Sequence, residues 1–240
     1  MSKPLIWAVI PAAGIGQRMQ SDVPKQYLPL AGATVIENTI QRLLAAEKVM
    51  GLAISLRRDD PYWHSVTIRS SKPVITAEGG AERSDSVLNA MKALAERDDF
   101  NVDNDWVLVH DAVRPCVRLE DIDQLIEQAT VNEAGGLLAL PVRDTMKRQA
   151  AGSLTVQKTE DREGLWHALT PQLFPYRVLQ NALIQAAVDD VAVTDESSAM
   201  EYAGYAPLLV KGHEDNIKIT RPYDLRLAEL FMADQQGQEN

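Results

Sequence analysis

Apolar and polar positions along this chain follow two periods that take turns. Short, nearly continuous apolar runs occur at 6–10, 51–56, 74–76, 106–110 and 136–142. Each predicts a strand buried on both faces. Between them, apolar residues recur at helical spacing: Val35, Ile36, Ile40, Leu43 and Leu44; Val87, Leu88, Met91 and Leu94; Ile122, Leu125, Ile126 and Ala129. These predict helices from about 35, over 84–96 and over 119–130. Thr34 followed by Glu37 is a capping box for the first of them. Asp59-Asp60-Pro61 predicts the start of a further short helix.

The alternation of strand and helix implies an α/β domain: a single Rossmann-like, mostly parallel twisted sheet with helices on both faces, over residues 1–240. The rhythm resumes late in the chain. Leu165–Leu169 reads as a strand ending at Thr170-Pro171-Gln172, and Pro175–Val188 as a helix. Thr194-Asp195-Glu196 caps a short helix to Tyr202 that Gly204 stops, so both acids read as capping, outside the chemistry. Strands follow at 207–210 and 216–219, then a last helix beyond Thr220 with Pro222 in its first turn and a frayed end at 236–240.

Residues 143–164 break the pattern. They are polar and basic, with Gly152-Ser153 at the centre and an alternating Leu154-Thr155-Val156 beyond. This predicts a β-hairpin arm projecting from the core, whose exposed edges a second copy of the chain would cover. A plain surface loop is the alternative.

In parallel sheets, ligands collect where the carboxyl ends of the strands meet a switch in strand order. The segments 11–18, 78–86 and 111–115 all follow strands, so they are expected to converge there. The first carries Ala13, Gly14 and Gly16, then Arg18, with Lys25 beyond. Glycines let backbone amides approach a ligand closely, and fixed cations balance a polyphosphate. The dinucleotide fingerprint is missed for want of a third glycine, and a P-loop for want of Gly-Lys-Ser/Thr. A phosphate-binding loop of another kind remains, against the plainer reading of a tight turn with two solvated cations.

Composition narrows the ligand. Net charge is −10 and the pI about 4.9, which argues against nucleic acid and against anionic membrane surfaces. Cations on loops of so acidic a chain serve a small anion. No run reaches the length of a membrane span, and the start lacks a secretory h-region. The single cysteine, Cys116, fits a reducing, cytoplasmic setting and reads as packing. The four histidines show no zinc spacing.

Taken in order, PAAGIGQRM with PKQ (11–19, 24–26), GGAERSDSV (79–87), VHDAVRP (109–115), PVRDTMK (141–147), the segment from Arg162 to Gln172, TDE (194–196) and DNIKIT (215–220) form a set. With it the chain resembles the bacterial 2-C-methyl-D-erythritol 4-phosphate cytidylyltransferases. The resemblance implies that methylerythritol phosphate attacks the α-phosphorus of CTP with Mg²⁺, releasing pyrophosphate in isoprenoid precursor synthesis. It implies that Arg18 and Lys25 stabilise the transferring phosphorus and that Ala13 and Gly14 belong to the CTP loop. Gly80, Ala81 and Ser86 would read cytosine. Asp111 and Ala112 would hold the ribose, and Asp111 the Mg²⁺. Lys218 would hold the acceptor phosphate, with Arg114 and Thr170 as further acceptor contacts. Thr145 and Arg162, on the arm, would reach the neighbouring subunit's site in a homodimer. Ala81 departs from relatives that carry a charged residue there, which leaves only its backbone to touch the base. A ribitol 5-phosphate cytidylyltransferase and a non-catalytic nucleotide-binding protein are the alternatives.

Overall fold

The computed structural model describes residues 3–14 and 23–238. The chain runs β1 (Ile6–Pro11), β2 (Pro29–Leu30), β3 (Ala33–Thr34), α1 (Val35–Ala45), β4 (Val49–Leu56), β5 (Val74–Glu78), α2 (Arg83–Ala95), β6 (Trp106–Val109) and α3 (Leu119–Ala129). It continues with β7 (Gly136–Pro141), β8 (Lys147–Gln149), β9 (Val156–Thr159), β10 (Trp166–Pro175), α4 (Tyr176–Val188), α5 (Glu196–Tyr202), β11 (Leu208–Lys211) and α6 (Pro222–Gln238). Seven strands form the main sheet in the order β11-β7-β10-β6-β1-β4-β5. All are mutually parallel except β10, which runs antiparallel to both β6 and β7.

Alternation along the strands divides the core. On β1, Ile6, Ala8 and Ile10 pack in one apolar cluster with α1 and α3, while Trp7 and Val9 face a second with α2, α4 and α5. Both sides of the strand are dry, which is why its sequence is a continuous apolar run. A third cluster packs α6 through Ala228 and Met232 against Leu30, Val35, Val113, Cys116 and Ile219. Cys116 is fully buried there, and burial pushes its thiol up to about 12, as a packing role requires.

The capping box at Thr34 and Glu37 forms as expected. Four expectations change. The helix expected after Asp59 is only a single 3-10 turn, Trp63–Ser65. The strand at 166 does not end at Pro171 but continues to Pro175, with a register shift between Ala168 and Gln172. A bulge accommodates a residue that has no N–H to give the ladder. Residues 216–219 are not a strand; they are held singly, as when Ile219 N–H donates to Val113 C=O at 2.9 Å. The last helix persists to Gln238, beyond the expected fraying point.

Two buried polar side chains frame β6. At its amino end, Asp105 accepts from the backbone N–H of Leu5 (3.0 Å) and of Asn101 (2.8 Å). At its carboxyl end, His110 is fully buried between the Arg114 carbonyl (3.0 Å from Nε2) and the Thr170 hydroxyl (3.0 Å from Nδ1). A carbonyl only accepts, so Nε2 carries the proton and Nδ1 accepts from Thr170. The Thr170 oxygen in turn accepts from the backbone N–H of Asp111 at 3.1 Å. Burial, which disfavours the imidazolium, takes His110 from the ordinary 6.5 to about 4.

Replacing Asp105 by Ala leaves two partly buried N–H groups without their acceptor and is expected to cost about 1–2 kcal/mol in urea unfolding. Turnover per folded molecule should be unchanged, because the residue lies at the far end of the sheet. For His110 the folded pKa lies below the unfolded one, so the unfolded chain binds the proton first as pH falls. Stability should therefore drop between about pH 6.5 and 4, by up to about 3 kcal/mol, and a folded His110→Gln variant should show a shallower profile in that window.

Candidate active site

The strand order reverses at β1: β4 and β5 lie on one side and β6 on the other. The segments leaving β1 and β6 part at that point and leave a crevice, as expected for a parallel sheet. A cavity of about 280 Å³ occupies it. Ala13 and Gly14 line it from β1, Gly80, Ala81, Arg83 and Ser86 from the segment after β5, Asp111 and Ala112 from β6, and Lys25 and Lys218 from outside the sheet. Every predicted nucleotide-binding residue is thus at one place, together with Lys25 and Lys218 of the four residues (Arg18, Lys25, Arg162 and Lys218) expected to act on the phosphates.

The walls are fixed by backbone and amide bonds. Gln26 donates to the carbonyls of Ala12 (3.1 Å) and Gly14 (3.2 Å), clamping the first segment from inside the core. A side chain at Gly79 would place its Cβ 2.3 Å from that of Ala13, and one at Gly80 would lie 2.1 Å from the Asp85 Cβ. Only glycine allows the two loops so close. The Ser86 hydroxyl accepts from the Gly80 N–H (3.1 Å) and donates to the Glu82 carbonyl (3.2 Å), so in this state it holds the loop.

Charge in the cavity centres on Asp111. Its Oδ2 lies 2.8 Å from Lys218 Nζ and 3.3 Å from Arg114 Nε, and its Oδ1 3.4 Å from Arg83. Burial opposes the charge, yet Arg83, Lys218 and Arg114 outweigh it and hold the carboxyl well below the usual range. Arg114 is anchored at its other end by the Asn216 carbonyl at 2.7 Å. Lys25 Nζ donates to the Ile219 carbonyl at 3.2 Å, which ties it to the segment carrying Lys218.

Other predicted positions fall elsewhere. Arg18 lies outside the described residues. Arg114 and Thr170 are buried behind the cavity rather than lining it, and both support Asp111. Thr145 and Arg162 stand exposed on the arm, away from this cavity.

Sequence reasoning gave Arg83 and Gln26 no role at the site and read Glu196 only as a helix cap. Arg83 did carry a signal: it opens α2, the helix end where a cation is disfavoured. Glu196 carried none, since an acid at a helix start is ordinary. Asp195 does cap α5, accepting from Ser198 N–H at 3.0 Å, but the Glu196 carboxylate turns into the protein to meet Arg83. Burial pushes that carboxyl up, and Arg83 opposes the push.

For a metal, the described residues lining the cavity offer two carboxylates, Asp111 and Glu82. No group of three or more His, Cys, Asp or Glu suited to a metal exists among the described residues. A carboxylate pair of this kind beside lysines fits Mg²⁺, which takes one or two carboxylates and completes its shell with phosphates and water.

Among the described residues no helix is long and apolar enough to cross a membrane. The family model described as "IspD: 2-C-methyl-D-erythritol 4-phosphate cytidylyltransferase" matches residues 6–234. A protein of that name from Pseudomonas entomophila is 50% identical over 222 residues, covering 92% of this chain and 93% of its own. One from Vibrio vulnificus is 49% identical over 226 residues, covering 94% of each. The solved structure of the Francisella tularensis 2-C-methyl-D-erythritol 4-phosphate cytidylyltransferase superposes with a TM-score of 0.80 at 33% identity, covering 95% of this chain and 99% of that one. With the fold, the crevice and these relatives in agreement along almost its entire length, the chain belongs to the 2-C-methyl-D-erythritol 4-phosphate cytidylyltransferase family.

Proposed function

We propose that this protein transfers the cytidylyl group of CTP to 2-C-methyl-D-erythritol 4-phosphate, forming CDP-methylerythritol and pyrophosphate for isoprenoid precursor synthesis. The observation that carries the reading is the convergence of Lys25, Lys218 and Asp111 with the two glycine-bearing loops on one cavity, in a chain of this family.

The chemistry needs little from the protein in proton transfer. A phosphate monoester is largely a dianion at neutral pH, so its oxygen attacks the α-phosphorus without a general base. The burden is electrostatic. Two polyanions must meet, and negative charge must be stabilised as the bond to pyrophosphate breaks. Lys25, with Arg18, takes the charge that develops on the transferring phosphorus. Lys218 turns from Asp111 to hold the acceptor phosphate. Asp111 is the residue that would hold Mg²⁺, which when bound supplies charge neutralisation on the phosphates. Gly80, the Ala81 backbone and Ser86 offer donors and acceptors for the edge of cytosine, and Ala112 lies at the ribose.

The active form is a homodimer in the cytoplasm. The arm of β8 and β9 is exposed along every strand residue, with Leu154 98% exposed at its tip. A lone two-stranded hairpin is marginal in water. A partner's body would cover it and bring Thr145 and Arg162 to the partner's cavity.

Pyrophosphate release with CTP, Mg²⁺ and methylerythritol phosphate tests the activity, and ribitol 5-phosphate in its place tests the acceptor. Lys25→Ala and Arg18→Ala should each lower kcat by about a hundredfold or more, while the CTP dissociation constant changes by less than about tenfold. Equal losses in both would contradict a transition-state role. Arg162→Ala and Asp111→Ala, each inactive alone, should recover up to about a quarter of wild-type activity after subunit exchange, because half of the dimers then hold one intact site. Proven exchange without recovery would remove the shared-site reading.

A further inference from the structure

Arg83 and Glu196 stand 113 positions apart and meet in a forked ion pair, NH1 to Oε1 at 2.6 Å and NH2 to Oε2 at 3.1 Å. The same NH2 faces Asp111 Oδ1 at 3.4 Å. Glu196 is only 1% exposed. Stability alone does not account for such a pair, because a buried ion pair is often no better than apolar residues of equal volume.

Its surroundings show what it does. Gln172 on β10 donates to Asp195 Oδ2 at 2.9 Å and accepts from Ser197 N–H at 2.8 Å, stapling both neighbours of Glu196 to the sheet. Two residues earlier on β10, Thr170 accepts the backbone N–H of Asp111. One bulged turn of β10 therefore grips Asp111 twice: by its backbone through Thr170, and by its carboxylate through Glu196 and Arg83. Of the three cations on Asp111, Arg83 and Arg114 are tethered at their far ends. Lys218 is two-fifths exposed, on a segment that is not part of the sheet.

We propose that Arg83, braced by Glu196, is a positioning residue that keeps the Asp111 carboxylate aimed into the cavity once Lys218 leaves it for a substrate phosphate, and so sets how tightly the site takes a divalent cation. This deepens the proposed function and rests on it. A Lys at 83 would keep the charge but lose the fork that spans both carboxylates.

The test is Mn²⁺ binding followed by electron paramagnetic resonance with CTP present, on wild type, Glu196→Gln and the double variant Arg83→Met/Glu196→Met. The double variant replaces the buried pair with apolar side chains and keeps the question open to measurement if Glu196→Gln does not fold. In a variant that melts like wild type, the Mn²⁺ dissociation constant should rise by about tenfold or more, the range typical for loss of a group that orients a metal ligand. In Glu196→Gln, CTP affinity without metal should stay within about threefold, because Glu196 does not line the cavity and Arg83 keeps its charge. Wild-type Mn²⁺ affinity in either folded variant overturns the inference while leaving the cytidylyltransferase reading intact. Failure of the wild-type protein to release pyrophosphate overturns both.

Discussion

Asp111 carries a negative charge in a nearly dry place, and the site is built around the means of keeping it there. At an effective dielectric near 20, a unit pair at 3–4 Å gains about 4–5 kcal/mol, comparable to the several kcal/mol lost by desolvating each ion. One partner would barely offset that loss. Three do so, and they come from α2, from the turn after β6 and from the segment before α6. The constraint is mutual: the carboxylate that needs the cations also holds them together at the wall of the cavity. Without it, Arg83, Arg114 and Lys218 would repel one another across a small crevice.

The rest of the fold serves that arrangement. The switch in strand order at β1 and β6 opens the crevice, and the two dry faces of the sheet keep its floor rigid. α6 closes the back, packing Ile219 and Val113 into one cluster so that the Lys218 segment is held against the turn after β6. β10, which runs antiparallel to its neighbours in the seven-stranded sheet, supplies from its bulge the residues that hold Asp111 and both neighbours of Glu196. Irregular backbone is placed where polar groups must be aimed, and regular strand where they need not be.

An overall charge of −10 and a cationic cavity are compatible because the two act over different distances. Surface acids are screened by salt within about 8–10 Å, whereas cations lining a partly buried crevice act on a ligand at contact. The acidic exterior disfavours large polyanions, while the cations of the crevice can act on a small one. The exposed arm balances its cations with acids, Arg148 and Lys158 paired to Glu160 on the arm itself and Arg143 to Glu214 on the body.

Periodicity alone settled the α/β class, most strand and helix positions, and the loops that would meet, because burial on both faces leaves a continuous apolar run and helix packing a stripe. The order of motifs settled the family. What the sequence misjudged were segments whose bonds are made by distant partners. Residues 216–219 look like a strand in composition but are held one at a time by Val113, Arg114 and Lys25. Pro171 looks like a strand end, yet a bulge lets β10 pass through it. Glu196 looks like a cap, and only the docking of α5 against β10 turns its side chain onto Arg83. Local pattern determines local structure, since its causes lie within a few residues. The pairing of charges brought together from 28 to 113 positions apart is decided by the sheet that folds between them.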